Sequence, residues 1–334
     1  MRRTLPVAII ALALATPAQA WPRNNNDSEP DIAERVEAPL VRAASGYAMY
    51  QFDVGALEET PFASGSDIDH ALEAMSTYDP DALTASWMAY ASLVAAQSPE
   101  FVDGVREVAD YYGRDAVLSG MRNDFSYASQ IRGADGARAS VLSTVAVETD
   151  RIHSVSELLR DRAYSIVDAG WAKEVTRDSQ ARMTHLDEFA LTPREPSAEL
   201  LVSLASAGPV GSDRMNDRTA EAREDFWGAF RLGPGTAHAA TPAPAVRGNP
   251  RYRPVVDQII TLAAFEALDA AKAEDAVSLA PIMQQPDTQT CMTMARLHFQ
   301  QCVAAAHFRY EDPFCIAEHS VKDVGDCFSQ VVGE

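Results

Sequence analysis

The stretch L-T-A-S-W-M-A-Y-A-S-L-V-A-A, residues 83–96, is apolar or small at nearly every position. An ordinary surface helix carries one apolar stripe, whereas a helix that is apolar all round is buried all round. The start of this helix is marked by Asp79-Pro80, an acid able to cap free backbone N–H groups followed by proline at the first helical position. Ser98-Pro99 repeats the signal, and Phe101, Val102, Val105, Val108 and Tyr112 follow at helical spacing until Gly113. Two helices joined by so short a turn are antiparallel neighbours, so residues 79–113 predict the centre of an all-α domain, with Trp87 and Tyr90 as core side chains.

The pattern continues outward. Helices are predicted over 31–45, 66–78, 115–121, 137–147, 154–171, 179–189, 197–205, 220–232 and 255–271. In the fifth of these, Val155, Leu158, Leu159, Arg162, Ala163, Ile166 and Val167 keep the i, i+3, i+4 rhythm. Residues 46–66 fit either a short extended piece or a continued helix. A helical repeat of about 34 residues has no second matching copy. Residues 233–254 (G-P-G-T-A-H-A-A-T-P-A-P-A-V-R-G-N-P-R-Y-R-P) are rich in Pro, Gly and Ala without apolar period, the composition of a linker. The expected organisation is a multi-helix N-terminal domain over 32–232, that linker, and a small C-terminal helical module over 255–334.

The N-terminus predicts the compartment. Arg2-Arg3, an apolar run from Leu5 to Thr16 and Ala18-Gln19-Ala20 have the layout of a secretory signal peptide cleaved after Ala20. The apolar run is shorter than the roughly 20 residues a membrane-spanning helix needs. Residues 21–31 are polar and aperiodic, a disordered leader by composition. Cleavage leaves 48 acidic against 26 basic residues, a net charge of −22. Such a chain is repelled by nucleic acid and by anionic lipid; a protein or another envelope component is the expected partner. The 25 arginines against three lysines, with heavy alanine usage, match a GC-rich bacterial genome, and the expected location is periplasmic or secreted.

No H-E-x-x-H, G-x-S-x-G, S-x-x-K, phosphate-binding loop or C-x-x-C occurs, and no motif calls for a cofactor. Neighbouring acids such as Glu58-Glu59 and Glu224-Asp225 read as solvated faces, and nothing separates Glu157 or Glu188 from ordinary helix-surface acids.

The unusual residues gather at the C-terminus. Cys291, Cys302, Cys315 and Cys327 are the only cysteines. Strong helix formers run from Thr290 to Ala306, and Asp312-Pro313 starts a second helix, so the segment predicts a helical hairpin. Cys291 and Cys302 are three turns apart on one face and about 16 Å distant, too far to bond each other. In an antiparallel hairpin, residues at one level share an index sum: Cys302 and Cys315 give 617, Cys291 and Cys327 give 618. Nested bridges Cys302–Cys315 and Cys291–Cys327 fit, whereas a four-cysteine zinc site needs closely spaced ligand pairs. One misfit remains. Twelve residues separate Cys315 from Cys327, which turns Cys327 off the face, and Gly325 is the residue expected to break the helix and correct it.

The same arithmetic places His298 and His319, again summing to 617, opposite each other between the bridges, with Asp323 one turn beyond His319. A packed, hydrogen-bonded histidine pair is the expectation, and no metal is called for. Were a cation held, His298, His319 and Asp323 are the two-histidine, one-carboxylate set that would hold it. The expected function is that of an exported, non-catalytic envelope protein with binding or structural duties. The alternatives are a periplasmic hydrolase acting on cell-wall material and a metal-handling protein using the histidine pair. Intact-mass measurement and N-terminal sequencing of the exported protein should find Trp21 as the first residue; a product retaining residues 1–20 would make the segment an anchor instead.

Overall fold

In a computed structural model of the chain, Asp79 caps the central helix as its position predicts: its Oδ1 accepts from the backbone N–H of Asp81 and Ala82, at 3.0 and 2.9 Å. The structure describes residues 32–333 except 177, 191, 193, 207, 208 and 210–245. The expected signal peptide and leader, the expected helix at 220–232 and most of the 233–254 segment therefore lie outside the described residues.

The helices are α1 (Ile32–Val36), α2 (Pro39–Glu59), α3 (Gly65–Ser76), α4 (Pro80–Ala95), α5 (Pro99–Tyr112), α6 (Arg114–Asn123), α7 (Ala134–Ile166), α8 (Ser179–Ala190) and α9 (Ala198–Ser206). After the undescribed stretch come α10 (Arg253–Ala267), α11 (Ala276–Leu279), α12 (Pro286–Ala305), α13 (Asp312–Cys315) and α14 (Asp323–Ser329). The protein is all-α, and no strand occurs among the described residues. No described helix is long and apolar enough to cross a membrane.

Helix α4 is the axis. It is buried on every side, with Trp87, Met88 and Ala89 at zero exposure, and packs against α2, α7, α10 and α12. Two of those neighbours precede the 233–254 segment and two follow it. Residues Ile32–Glu334 gather into one compact unit, and one apolar cluster runs from Ala38 to Val331. The expected division into an N-terminal domain and a C-terminal module is therefore not a division of the core.

The boundaries depart from expectation in two places. The first helix ends at Val36, and Pro39 opens a separate α2, which runs on to Glu59 and makes 46–59 a continued helix. Proline cannot donate to the preceding turn, so the break falls where its ring would clash. In contrast, the two helices expected at 137–147 and 154–171 are one helix, α7. Residues 148–153 (E-T-D-R-I-H) look like a polar interruption, but most of these side chains have partners within the fold. Glu148 accepts from Tyr47 Oη and Tyr90 Oη at 2.9 and 2.8 Å, Arg151 pairs with Glu58, and His153 with Asp326. Buried polar groups cost little when satisfied, and nothing in the run breaks a helix. Further along α7, Arg162 donates to the carbonyls of Leu57, Glu58 and Thr60, closing the C-terminal end of α2.

Both nested bridges form. Cys291–Cys327 and Cys302–Cys315 have Cα separations of 5.7 and 5.5 Å. The twelve-residue misfit is absorbed differently from expectation. Gly325 lies inside α14, and the segment between α13 and α14, Ile316–Lys322, is wound as a π-helix. A wider turn takes up one extra residue per bulge, so twelve residues on this helix keep pace with eleven on α12. Tyr50 Oη donates to the carbonyl of Ser320 within the wide turn, at 3.0 Å. Gly325 has another reason: a Cβ there would stand 2.8 Å from Ile152 Cγ2, so the missing side chain lets α14 lie close on α7.

Directly after Cys327, Phe328 is fully buried and meets the rings of Tyr47, Trp87 and Tyr50 at centroid distances of 5.0, 5.4 and 6.1 Å. Phe328→Ala should cost about 3–5 kcal/mol in denaturant unfolding, the range for truncating a core aromatic. The Cys302→Ser/Cys315→Ser pair should cost about 2–4 kcal/mol. A cost under about 1 kcal/mol for Phe328→Ala would mean that the C-terminal helix is not part of the core.

Candidate functional site

The predicted site residues meet. His298 on α12 and His319 in the π segment face each other with ring centroids 5.6 Å apart, and Asp323 at the start of α14 lies between them. The same oxygen serves both rings: Asp323 Oδ2 is 2.8 Å from His319 Nδ1 and 3.5 Å from His298 Nδ1. One ligand atom from each residue falls within 4.8 Å of the other two. The side chains are 45%, 25% and 27% exposed for His298, His319 and Asp323, so solvent reaches the group from one side. One turn on, Asp326 is held by His153 Nε2 and Lys322 Nζ, both at 2.9 Å, and takes no part in the cluster. The Cys302–Cys315 bridge lies toward the hairpin turn from this group and Cys291–Cys327 toward the open end, so both helices are pinned on either side of it.

The other predictions resolve plainly. Trp87 and Tyr90 are core. Glu157 and Glu188 are exposed, and Glu58 pairs with Arg151 at 3.6 Å. Glu224-Asp225 lies outside the described residues.

A second feature was not foreseen. A cleft of about 420 Å³ opens between α3, α8 and the end of α12. Asp69 and Glu73 come from α3, Glu174 from the segment before α8, Arg182 and His185 from α8, and Arg309 from the hairpin turn. Arg309 is committed to Asp69, its Nη2 donating to Oδ2 at 2.8 Å. Arg182 is only half committed. Its Nη2 donates to Asp312 Oδ1 at 2.5 Å, while its buried Nη1 has no hydrogen-bond partner among the described residues. Asp312 behind it has zero side-chain exposure, and its Oδ2 also lacks a partner among the described residues. Burial pushes the Asp312 carboxyl up to about 6, against the opposing pull of the Arg182 guanidinium.

Sequence reasoning missed this pair because 130 positions separate its members. It took Asp312-Pro313 as a helix start, which it is, but the carboxylate is spent on a salt bridge instead of a cap. The one local signal was an arginine at position 182 on a short, polar helix, and nothing marks such a residue as inward-facing.

Compared with known families, characterised proteins and solved structures, the chain matches none: no family model, no curated protein and no structure. The cleft and the histidine cluster must be interpreted from their own chemistry.

The Asp312 shift has a signed consequence. Its folded value of about 6 lies above the ordinary 3.8, so its protonated form favours folding. That contribution is fully present below pH 3.8 and is lost as the pH rises through about 6. Over that window the stability of the wild type relative to Asp312→Asn should fall by about 3 kcal/mol, the free energy that separates a carboxyl at 3.8 from one at about 6. Urea titrations of both proteins at several pH values check this; a difference that stays flat or rises with pH would remove the buried carboxyl from the account.

Proposed function

We propose that this is an exported, non-catalytic protein of the bacterial envelope, working in the periplasm, that binds a protein or another envelope component through the α3–α8 cleft. One observation carries the proposal: Arg182 lines the cleft with its guanidinium only half committed, Nη2 to Asp312 and the buried Nη1 to no hydrogen-bond partner among the described residues. A buried donor left unsatisfied costs about 1–3 kcal/mol, and an occupant with an acceptor that draws the guanidinium toward the cleft recovers that loss. The volume of about 420 Å³ is that of a site for a small ligand or a few side chains. Acids on the other walls, Glu73 and Glu174, favour an occupant that also carries a positive charge. A peptide segment or envelope fragment with a carboxylate near an amine fits both demands. The chain's acidity supports a partner other than nucleic acid or anionic lipid.

A hydrolase acting on cell-wall material is the second reading, and Asp312 is what favours it. A buried carboxyl pushed up to about 6 is suited to general acid work. It sits behind Arg182 and is not among the residues that line the cleft, so an occupant meets the guanidinium first.

Affinity capture from the native envelope tests the leading proposal, using the wild type and the Glu73→Ala/His185→Ala variant, which alters the cleft wall but spares the buried pair. The wild type should recover a reproducible partner, and the variant should recover it about tenfold less well, equivalent to about 1.4 kcal/mol. No reproducible partner, or equal recovery by both, would count against binding through this cleft. Asp312-dependent release of fragments from purified cell wall would favour the hydrolase.

A further inference from the structure

We propose that His298, His319 and Asp323 form a binding site for a borderline divalent transition-metal cation of the zinc(II) or copper(II) type, with solvent completing the coordination. The site shares no residue with the cleft and is independent of it.

The geometry is close to what such an ion needs. Bonds of about 2.0–2.1 Å in a tetrahedral arrangement put neighbouring ligand atoms about 3.3–3.4 Å apart. The two nitrogen–oxygen separations, 2.8 and 3.5 Å, bracket that spacing, and all three ligand atoms fall within 4.8 Å. The larger of the two departures is the short His319–Asp323 pair, which must open by about half an ångström, while His298, the most exposed of the three, already stands near the required spacing. Both imidazoles present Nδ1 to a single carboxylate oxygen, His319 through a hydrogen bond and His298 at ion-pair distance, so an ion entering there would bridge all three.

Ligand chemistry sets the class of ion. Two imidazoles and one carboxylate suit zinc, copper or nickel, whereas calcium and magnesium prefer an all-oxygen shell. Three protein ligands with an open side describe a site that leaves positions for water, unlike the closed four-ligand sites of structural zinc. The chain's formal charge of −20 draws cations toward it. The nearby Lys322 amino group is engaged by Asp326, and Arg160 by Glu318 at 3.1 Å, so both local cations already have partners.

Preorganisation is the second argument. The rings come from two different helices, and their levels are fixed by the Cys302–Cys315 and Cys291–Cys327 bridges. The π segment sets the phase of His319, and Asp323 follows as the first residue of the regular helix. Sites held by such constraints lose little entropy when the ion binds.

Zinc chloride titrated into the oxidised wild-type protein, followed by calorimetry and by histidine NMR, decides the matter. One equivalent should bind, the imidazole signals of His298 and His319 should shift together, and the thermal midpoint should rise. Calcium and magnesium should do none of these. His319→Ala should weaken zinc binding at least about 100-fold, the upper end of what loss of a mere supporting group costs, while His70→Ala and His153→Ala should leave it unchanged. Should the variant fold poorly, the wild-type NMR shifts remain a complete test. Absence of binding, zinc binding unaltered by His319→Ala, or shifts confined to other histidines would each overturn the proposal.

Discussion

Twelve residues between Cys315 and Cys327 must match eleven between Cys291 and Cys302, and the C-terminal third of the molecule is arranged around that mismatch. An unbroken α-helix would turn Cys327 about a third of a revolution away from its partner. Winding Ile316–Lys322 as a π-helix absorbs the surplus residue, and the rest follows in register. Cys327 reaches Cys291, Phe328 enters the ring cage of Tyr47, Tyr50 and Trp87, and Gly325 comes down on Ile152. A π segment gives up the closest backbone packing, and here that loss is offset by Tyr50, whose hydroxyl donates to the Ser320 carbonyl.

The wide turn therefore ties the C-terminal helix to the N-terminal ones, and buried polar groups complete the tie. Glu148 on α7 accepts from Tyr47 on α2 and Tyr90 on α4, joining three helices at one carboxylate. Arg35 on α1 reaches Glu266 on α10 at 3.0 Å and the Ala205 carbonyl on α9 at 2.7 Å, linking elements that precede and follow residues 210–245 in the chain. Burial raises the Glu266 carboxyl while Arg35 pulls it back. Such contacts add modestly to net stability, but breaking one partner leaves a charge uncompensated, so they define which helix meets which.

How much of this is legible in the sequence depends on range. Asp79-Pro80 and Ser98-Pro99 mark helix starts because capping and proline geometry act within four residues. The disulfide pairing and the meeting of His298 with His319 are legible because an antiparallel hairpin turns index sums into levels. The division of the core at 233–254 was inferred from composition, which speaks for the segment itself and not for what its flanks do afterwards. The continuity of α7 was hidden because Glu148 and His153 look like a surface turn until Tyr47, Tyr90 and Asp326 are in place. The Arg182–Asp312 pair was invisible for the same reason, since Asp312 reads locally only as a helix start and Arg182 only as a surface arginine, and the pairing acquires meaning from the two together.

Two disulfides in a molecule with a large apolar core call for a local cause, and α12 supplies one. Its buried residues, Thr288, Met292, Ala295, Phe299 and Val303, form a single stripe at intervals of three and four. A stripe of that period nearly repeats itself under a shift of one turn, so apolar packing alone holds the helix to its neighbours without fixing its height. Both candidate sites depend on that height. His298 must stand level with His319, and Val303, near the end of α12, forms one wall of the cleft opposite α3 and α8. A displacement of one turn, about 5.4 Å, would part the histidines and close or open the cleft. The covalent rungs at Cys291 and Cys302 remove that freedom. Their contribution is to register more than to bulk stability, which the core around α4 already provides.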